Sequence, residues 1–232
     1  MSTRITTTTE DDLAWLRLLH LVSPTLPTGA FTYSQGVEWA VECGWVRDVA
    51  TLGEWASDLM HSSLAQLELP LLARLYRACE TGDGEALRYW NNTLIASRET
   101  RELREEERNR GRALAALLPA LGINISDAWR PLLKGCQLSG FAYAACHWQI
   151  PLRAAAQGYL WAWLEGTVLT GIKIIPLGQS AGQSLIAGLT PAIPGVVARG
   201  MAVSDAEIGA SCTAQAIASC LHETQYTRIY QS

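Results

Sequence analysis

Residues Ala154–Ile172 read AAAQGYLWAWLEGTVLTGI, nineteen residues carrying one formal charge, at Glu165. A helix that is apolar on every side belongs in the middle of a larger fold or in a membrane. Its length approaches that of a membrane span. Arg153 and Lys173 flank it, but Gln157, Glu165, Thr167 and Thr170 lie inside it. A carboxylate near the centre would cost roughly 3 kcal/mol in lipid, and the sequence holds no second stretch of this kind. The reading that follows is a buried central helix, about 151–175, started by Pro151 at its first position and stopped by Pro176-Leu177-Gly178.

Outward from that helix, the chain keeps helical periodicity. Asp11 or Asp12 can cap a first helix through Leu21, with Leu13, Leu16, Leu19 and His20 on its apolar side. A second helix is expected over Thr32–Cys43, capped by Thr32 or Ser34 and ended by Gly44. Asp48 or Thr51 opens a long pattern in which Leu52, Trp55, Leu59, Leu64, Leu67, Leu71, Leu72 and Leu75 recur at helical spacing. Pro70 lies inside that pattern and predicts a kink or a break. Gly82-Asp83-Gly84 is a turn. The run Arg98–Arg112, RETRELREEERNRGR, mixes both signs three and four residues apart, as in Arg98–Glu102, and reads as a solvated helix face laced with ion pairs, the alternative being a partner-binding face, since an Arg/Glu mosaic also selects a charged partner. Short helices follow at Ser126/Asp127, Ser139–Gln149, Ser184–Leu189 and Pro194–Met201. Ser204 or Asp205 is expected to cap a last helix to about Cys220, with Ile208, Ala214 and Ile217 buried.

No run alternates with period two long enough to make a strand, and no repeat is visible. The fold class is therefore all-α: one compact bundle of about ten helices around the central apolar helix. Residues 1–10, rich in Thr, are expected to be a disordered tail, 11–220 the helical domain, and 221–232 a flexible C-terminal segment that binds partners.

Of the 232 residues, 49 % are apolar and 17 % charged, and the net charge is −4. That balance suits a folded globule and offers no electrostatic footprint for nucleic acid or anionic lipid. All basic residues but Lys134 and Lys173 are arginine, a side chain suited to bidentate pairing at interfaces. Cys43, Cys79, Cys136, Cys146, Cys212 and Cys220 contain no C-x-x-C pair and are expected to be free thiols. The N-terminus lacks the apolar run of a secretory signal, so the expected location is cytoplasmic.

Signatures of catalysis are few. The chain holds neither G-x-x-x-x-G-K-[ST] nor H-E-x-x-H. His20, His61, His147 and His222 are isolated in sequence. His222, with Cys220 and Glu223 beside it, is a weak metal candidate, and no metal or other cofactor is expected. Two loops stand out instead. Ser23–Gly36 contains Pro24, Pro27 and Gly29, and Pro176–Gln183 contains two glycines and two glutamines. Such backbones are costly to order unless they have a definite shape; the readings of the first are an inter-helix loop or a docking surface, and the second, which lacks the Lys that a phosphate cradle needs after its Gly, reads as an N-cap loop whose amide side chains meet a neighbouring backbone.

Three stretches resemble a known family. PTLPTGAFTYSQGVEWAVECGWV at 24–46, KIIPLGQ at 173–179 and HETQYTRIY at 222–230, on a helical chain of this length, are similar to the urease accessory protein UreF. The chain departs from the usual pattern in having Ala30 after Gly29, and Thr32 between Phe31 and Tyr33. The resemblance implies an all-helical, dimeric, non-catalytic scaffold that helps assemble the dinuclear nickel centre of urease. Its implied partners are a UreD/UreH-type accessory protein, the GTPase UreG and the urease apoprotein. Matched to the family, the partner-binding residues are Pro24, Pro27, Gly29, Phe31, Tyr33, Ser34, Gly36 and Glu38. Lys173, Pro176, Leu177, Gly178 and Gln179 follow in the second motif, and Tyr226 and Arg228 in the last. The alternative role is regulation of the GTPase, with Arg228 or an arginine of 98–112 stabilising charge in phosphoryl transfer.

Overall fold

The computed structural model describes residues 10–232, so the Thr-rich segment expected to be disordered lies outside the described residues apart from Glu10. The helices are α1 (Glu10–Leu21), α2 (Val37–Glu42), α3 (Val49–Leu59), α4 (Leu69–Thr81), α5 (Gly84–Ser97), α6 (Arg101–Leu117), α7 (Arg130–Leu133), α8 (Gln137–His147), α9 (Leu152–Ile174), α10 (Gln179–Leu189), α11 (Ile193–Ala202) and α12 (Thr213–His222). No strand forms among the described residues. The chain is all-α, as its periodicity requires.

The apolar stretch quoted first is α9, and it is central: α1, α2, α3, α4, α8, α10 and α11 all pack on it. Ala155, Ala156, Leu160, Leu164 and Val168 are buried along its length. Glycines set the closest approaches. A Cβ on Gly171 would lie 2.5 Å from Leu52 Cδ2 of α3. The expectation that no second apolar stretch exists is corrected: among the described residues, the one helical run with the length and hydropathy of a membrane-crossing helix is not α9 but a later one. Gln179–Ala202, formed by α10, a 3₁₀ turn and α11, has a mean hydropathy of 1.4. It packs through Gly182, Ile186, Ile193, Val196, Val197 and Gly200, which are buried.

Local signals place most boundaries. Asp48 caps α3 and accepts the Thr51 N–H at 2.9 Å, while Thr51 Oγ1 answers the Asp48 N–H at 3.1 Å, a reciprocal capping box. Gly82 closes α4 at φ 69°, and Asp83 caps α5. Every leucine of the long pattern, Leu52 through Leu75, is buried, as is Trp55.

Pro70 does not break that pattern. The chain runs from α3 through a π-helical segment, Met60–Glu68, directly into α4, with Pro70 in its first turn. In an α-helix the missing Pro70 N–H would orphan the carbonyl four residues back, on Gln66. Here Gly209 N–H donates to Gln66 O at 3.1 Å, and Leu69 N–H reaches back five residues to Leu64 O. The wider turn and a distant loop absorb the proline. Pro70→Ala is accordingly expected to change stability by less than about 1 kcal/mol, instead of the ~3 kcal/mol gain that removing a mid-helix proline would bring. Urea unfolding checks this.

Three further expectations are corrected. On α1, Ala14, Leu18 and Leu21 face the core, while Leu13, Trp15, Leu16 and Leu19 are exposed. The helix is apolar on two sides, and Gly158 of α9 admits Leu18, which a Cβ there would meet at 2.8 Å. The last helix starts at Thr213; Ser204 caps only a 3₁₀ turn, Asp205–Glu207. That shift in phase buries Gln215, Ala218, Ser219 and His222 and leaves Ile217 outside. Finally, the charged run is not only a solvated face. Arg101–Glu105 is an exposed pair at 2.7 Å, but Arg98, Glu106 and Glu107 are buried. Arg98 ignores Glu102 and pairs with Glu68 at 2.9 Å and Glu107 at 2.5 Å.

The six cysteines are free; Cys136 is buried and Cys43 and Cys220 are exposed.

Candidate functional site

The loop between α1 and α2 is shaped by its own residues. Leu26 N–H bonds Ser23 O and Thr28 N–H bonds Leu26 O. Gly29, at φ 75°, opens a 3₁₀ turn, Ala30–Thr32, and Thr32 Oγ1 donates back to Gly29 O at 2.8 Å. Pro24, Pro27 and Phe31 are exposed, whereas Ser34, Gly36 and Glu38 are buried. The expected helix from Thr32 is shorter than its pattern: it begins at Val37, and its cap position is Gly36 at φ 88°. Ser34 still assists, because its hydroxyl accepts the Glu38 N–H at 3.3 Å.

The reason for the late start is Gln35. It holds φ 51°, a left-handed conformation that costs a non-glycine residue about 1 kcal/mol or more. The twist aims its amide inward. Gln35 Nε2 donates to Glu106 Oε1 at 2.8 Å, and Trp163 Nε1 donates to Gln35 Oε1 at 2.9 Å, tying the loop to α6 and α9. Glu106 also accepts Arg110 at 2.7 Å and the Ser232 hydroxyl at 3.2 Å.

The segment 221–232, expected to be flexible, is bonded to this loop along much of its length. Ser34 N–H donates to Ser232 O at 2.7 Å, the Ser34 hydroxyl bonds the same oxygen, and Gln231 N–H donates to Thr32 O at 2.8 Å. The Glu38 carboxylate accepts the N–H of Ile229 at 2.6 Å and of Tyr230 at 2.9 Å. It also takes His222 Nε2 at 3.1 Å, while His222 Nδ1 bonds Glu102 at 2.7 Å. Arg228 donates to the other Glu102 oxygen at 2.7 Å. A buried carboxylate needs such donors, since an unpaired one costs several kcal/mol. Burial pushes the Tyr230 phenol up, against its Thr170 hydrogen bond.

Two clefts flank the C-terminal end of α9. One, of about 160 Å³, lies between the loop and α9 and is lined by residues including Phe31, Tyr33, Tyr159, Trp163 and Lys173. The other, of about 260 Å³, is lined by Glu38, Glu42, Ile174, Gln225, Tyr226, Thr227 and Ile229. The first and last motifs thus meet directly, and Lys173 of the second borders the first cleft. Pro176, Leu177, Gly178 and Gln179 line neither cleft and make the turn into α10. The outward side chains are apolar: Phe31 is 69 % exposed, Ile229 76 %, and Tyr226 fully so.

His222, the metal candidate, has both ring nitrogens taken by carboxylates. No group of three or more His, Cys, Asp or Glu is arranged to hold an ion among the described residues. Gly178–Gly182 spells G-x-S-x-G, but the nucleophile elbow needs a strand before the turn. Here Ser180 is exposed in the first turn of a helix that follows another helix. Gln35, Glu102, Glu106 and Trp163 were not singled out by sequence. Gln35 sits inside the motif between Ser34 and Gly36, a usable signal, but Glu102 is indistinguishable from its acidic neighbours.

Comparison with known proteins matches residues 46–190 to the family model described as UreF. That span omits the opening loop and the last segment, while the relatives that follow match over 94–95 % of the chain. The chain is 51 % identical over 221 residues to the urease accessory protein UreF of Pseudomonas putida strain W619, covering 95 % of this chain and 99 % of the relative. It is 49 % identical over 225 residues to that of Alcanivorax borkumensis, covering 94 % and 98 %. To that of Klebsiella pneumoniae strain 342 it is 46 % identical over 217 residues, covering 94 % and 97 %.

Proposed function

Since the chain belongs to the UreF family of urease accessory proteins, we propose that it is a maturation chaperone, a cytoplasmic helical adaptor for assembly of the urease nickel centre. In this reading it joins a UreD/UreH-type accessory protein to the GTPase UreG and to the urease apoprotein, as a homodimer within the complex. The observation that carries the reading is the convergence of the opening loop, the α9 end and the last segment. Their buried polar atoms bond one another, which leaves Phe31, Tyr226 and Ile229 pointing outward. Large rigid apolar side chains on a firm backbone are what protein interfaces use as anchors.

The test is co-purification of the full chain with the three partners from the same organism. Wild type is expected to capture them. Tyr226→Ala and Ile229→Ala, which remove exposed side chains, are expected to weaken capture by about tenfold or more, the effect of a 1–2 kcal/mol anchor. Deleting Leu221–Ser232 is a poorer test, because it also strips buried groups such as His222 and Tyr230. No capture by wild type would overturn the reading.

A second reading, regulation of the partner GTPase, is favoured by Arg228, whose side chain is 41 % exposed at the edge of the second cleft's segment. Arg98 is too buried for that role. Arg228→Ala with intact assembly but lost stimulation of GTP hydrolysis would select it.

A further inference from the structure

His222 is buried completely, and each ring nitrogen faces a carboxylate: Nε2 meets Glu38 Oε2 at 3.1 Å and Nδ1 meets Glu102 Oε2 at 2.7 Å. An ionised carboxylate only accepts hydrogen bonds, so both nitrogens must donate, and only the imidazolium carries two N–H groups. The charges then balance. Glu38 and Glu102 supply two negatives, His222 and Arg228 two positives. A neutral ring can donate to one carboxylate alone, which leaves the other facing a lone pair in a buried site. That site is where Ile229 and Tyr230 are tethered, through the Glu38 carboxylate.

We infer that the Glu38–His222–Glu102 triad is a pH-operated latch on residues 229–230: it holds the Ile229 and Tyr230 amides on Glu38 while His222 is charged and releases them when the ring loses a proton, whereas the bonds of Gln231 and Ser232 to the opening loop lie outside it. The groups facing the triad come from every side. On α2 they are Glu38 and Glu42, the latter lining the adjacent cleft. On α6 it is Glu102. Glu223, which accepts the Glu102 N–H at 3.1 Å, Arg228 and Tyr230 come from the last segment. The sign follows from the charges. Holding requires the cation and two anions, so the latch is closed on the acid side of the ring's titration and opens as pH rises through it. The latch is independent of which partner the surface meets.

The experiment is nitrogen-15 NMR of the His222 ring together with amide hydrogen exchange of Ile229 and Tyr230 in the full chain, from pH 5.5 to 9. Near pH 6, two ring N–H groups and protected amides are expected. As the ring deprotonates, protection corrected for intrinsic exchange should fall about tenfold per pH unit, the slope of one linked proton. Amides of α4 should keep theirs. His222→Gln, which cannot bridge both carboxylates as a cation, should show weak protection at all these pH values. A ring carrying one proton near pH 6, or protection that stays flat while the ring titrates, overturns the latch. The wild-type measurement decides this even if the variant fails to fold.

Discussion

Replacing Arg98 by alanine is expected to lower folding stability by about 3–5 kcal/mol, the loss seen when one partner of a buried ion pair is removed. One Arg98 nitrogen serves two carboxylates, Glu68 at 2.9 Å and Glu107 at 2.5 Å, and all three side chains are under one-tenth exposed. Burial alone would push the guanidinium down, yet Glu68 and Glu107 hold it well above its ordinary value. Tyr159 donates to Glu68 at 2.6 Å from α9, and burial with Glu68 beside it drives that phenol well up. Glu107 is already pushed up by burial, against the pull of Arg98, and its Oε2 has no partner. Alanine would leave two like charges stranded in the core.

The pH dependence checks the cause. A carboxyl whose folded value lies above its unfolded one binds a proton more readily when folded, so stability falls as pH rises through that window. Without Arg98 the effect grows, so the deficit of Arg98→Ala should shrink as pH is lowered from 7 toward 5, because protonation removes the stranded charge. Urea unfolding at both pH values is the measurement. A loss under about 1 kcal/mol at pH 7 would show that the network relaxes by admitting water.

Gly36→Val is the second large effect, at about 2–5 kcal/mol. Two terms add: roughly 1–2 kcal/mol for forcing an L side chain to left-handed φ and about 1–3 kcal/mol for overpacking. Gly36 holds φ 88°, and a Cβ there would stand 3.1 Å from Ala218 Cβ and 3.2 Å from Ser219 N. The second neighbour is backbone in mid-helix and cannot rotate away. α12 must therefore shift off α2, which pulls His222 from Glu38. Gly44 provides the control. It has φ 79° with nothing within 4 Å of an added Cβ, so Gly44→Val should lose only the dihedral term. Equal melting temperatures for the two variants would remove the packing argument.

How much of this was legible in the sequence depends on the range of the interaction. The capping box of Asp48 and Thr51, the Gly82 stop and the leucine pattern from 52 to 75 act within one or two turns, and residue order states them. The α1 face is ambiguous in sequence because leucines lie on both sides of that helix, and only the α9 surface decides which side is covered. The charged run reads as solvated because ion pairs three or four residues apart are the local option. Glu68 and His222, which take Arg98 and Glu102 instead, are distant in sequence.

The candidate site divides the same way. Its motifs could be matched to a family from their residues, and the Pro and Gly pattern of 24–36 announces a shaped loop. Sequence could not show that the final segment lies on that loop, because such a polar run has no local reason to order. Its order comes from hydrogen bonds to Glu38, Glu106 and Ser34, groups buried by other helices.

By itself, then, the sequence determined the helical class, the central place of the apolar stretch 154–172 and the family, since these rest on periodicity, burial of an all-apolar helix and residue order. Tertiary structure alone decided which charges are buried, which face of α1 is exposed and where residues 223–232 lie. The physical reason is that a charge or an apolar side chain is satisfied by whatever packs against it, and in a bundle that neighbour comes from a helix far away in the chain.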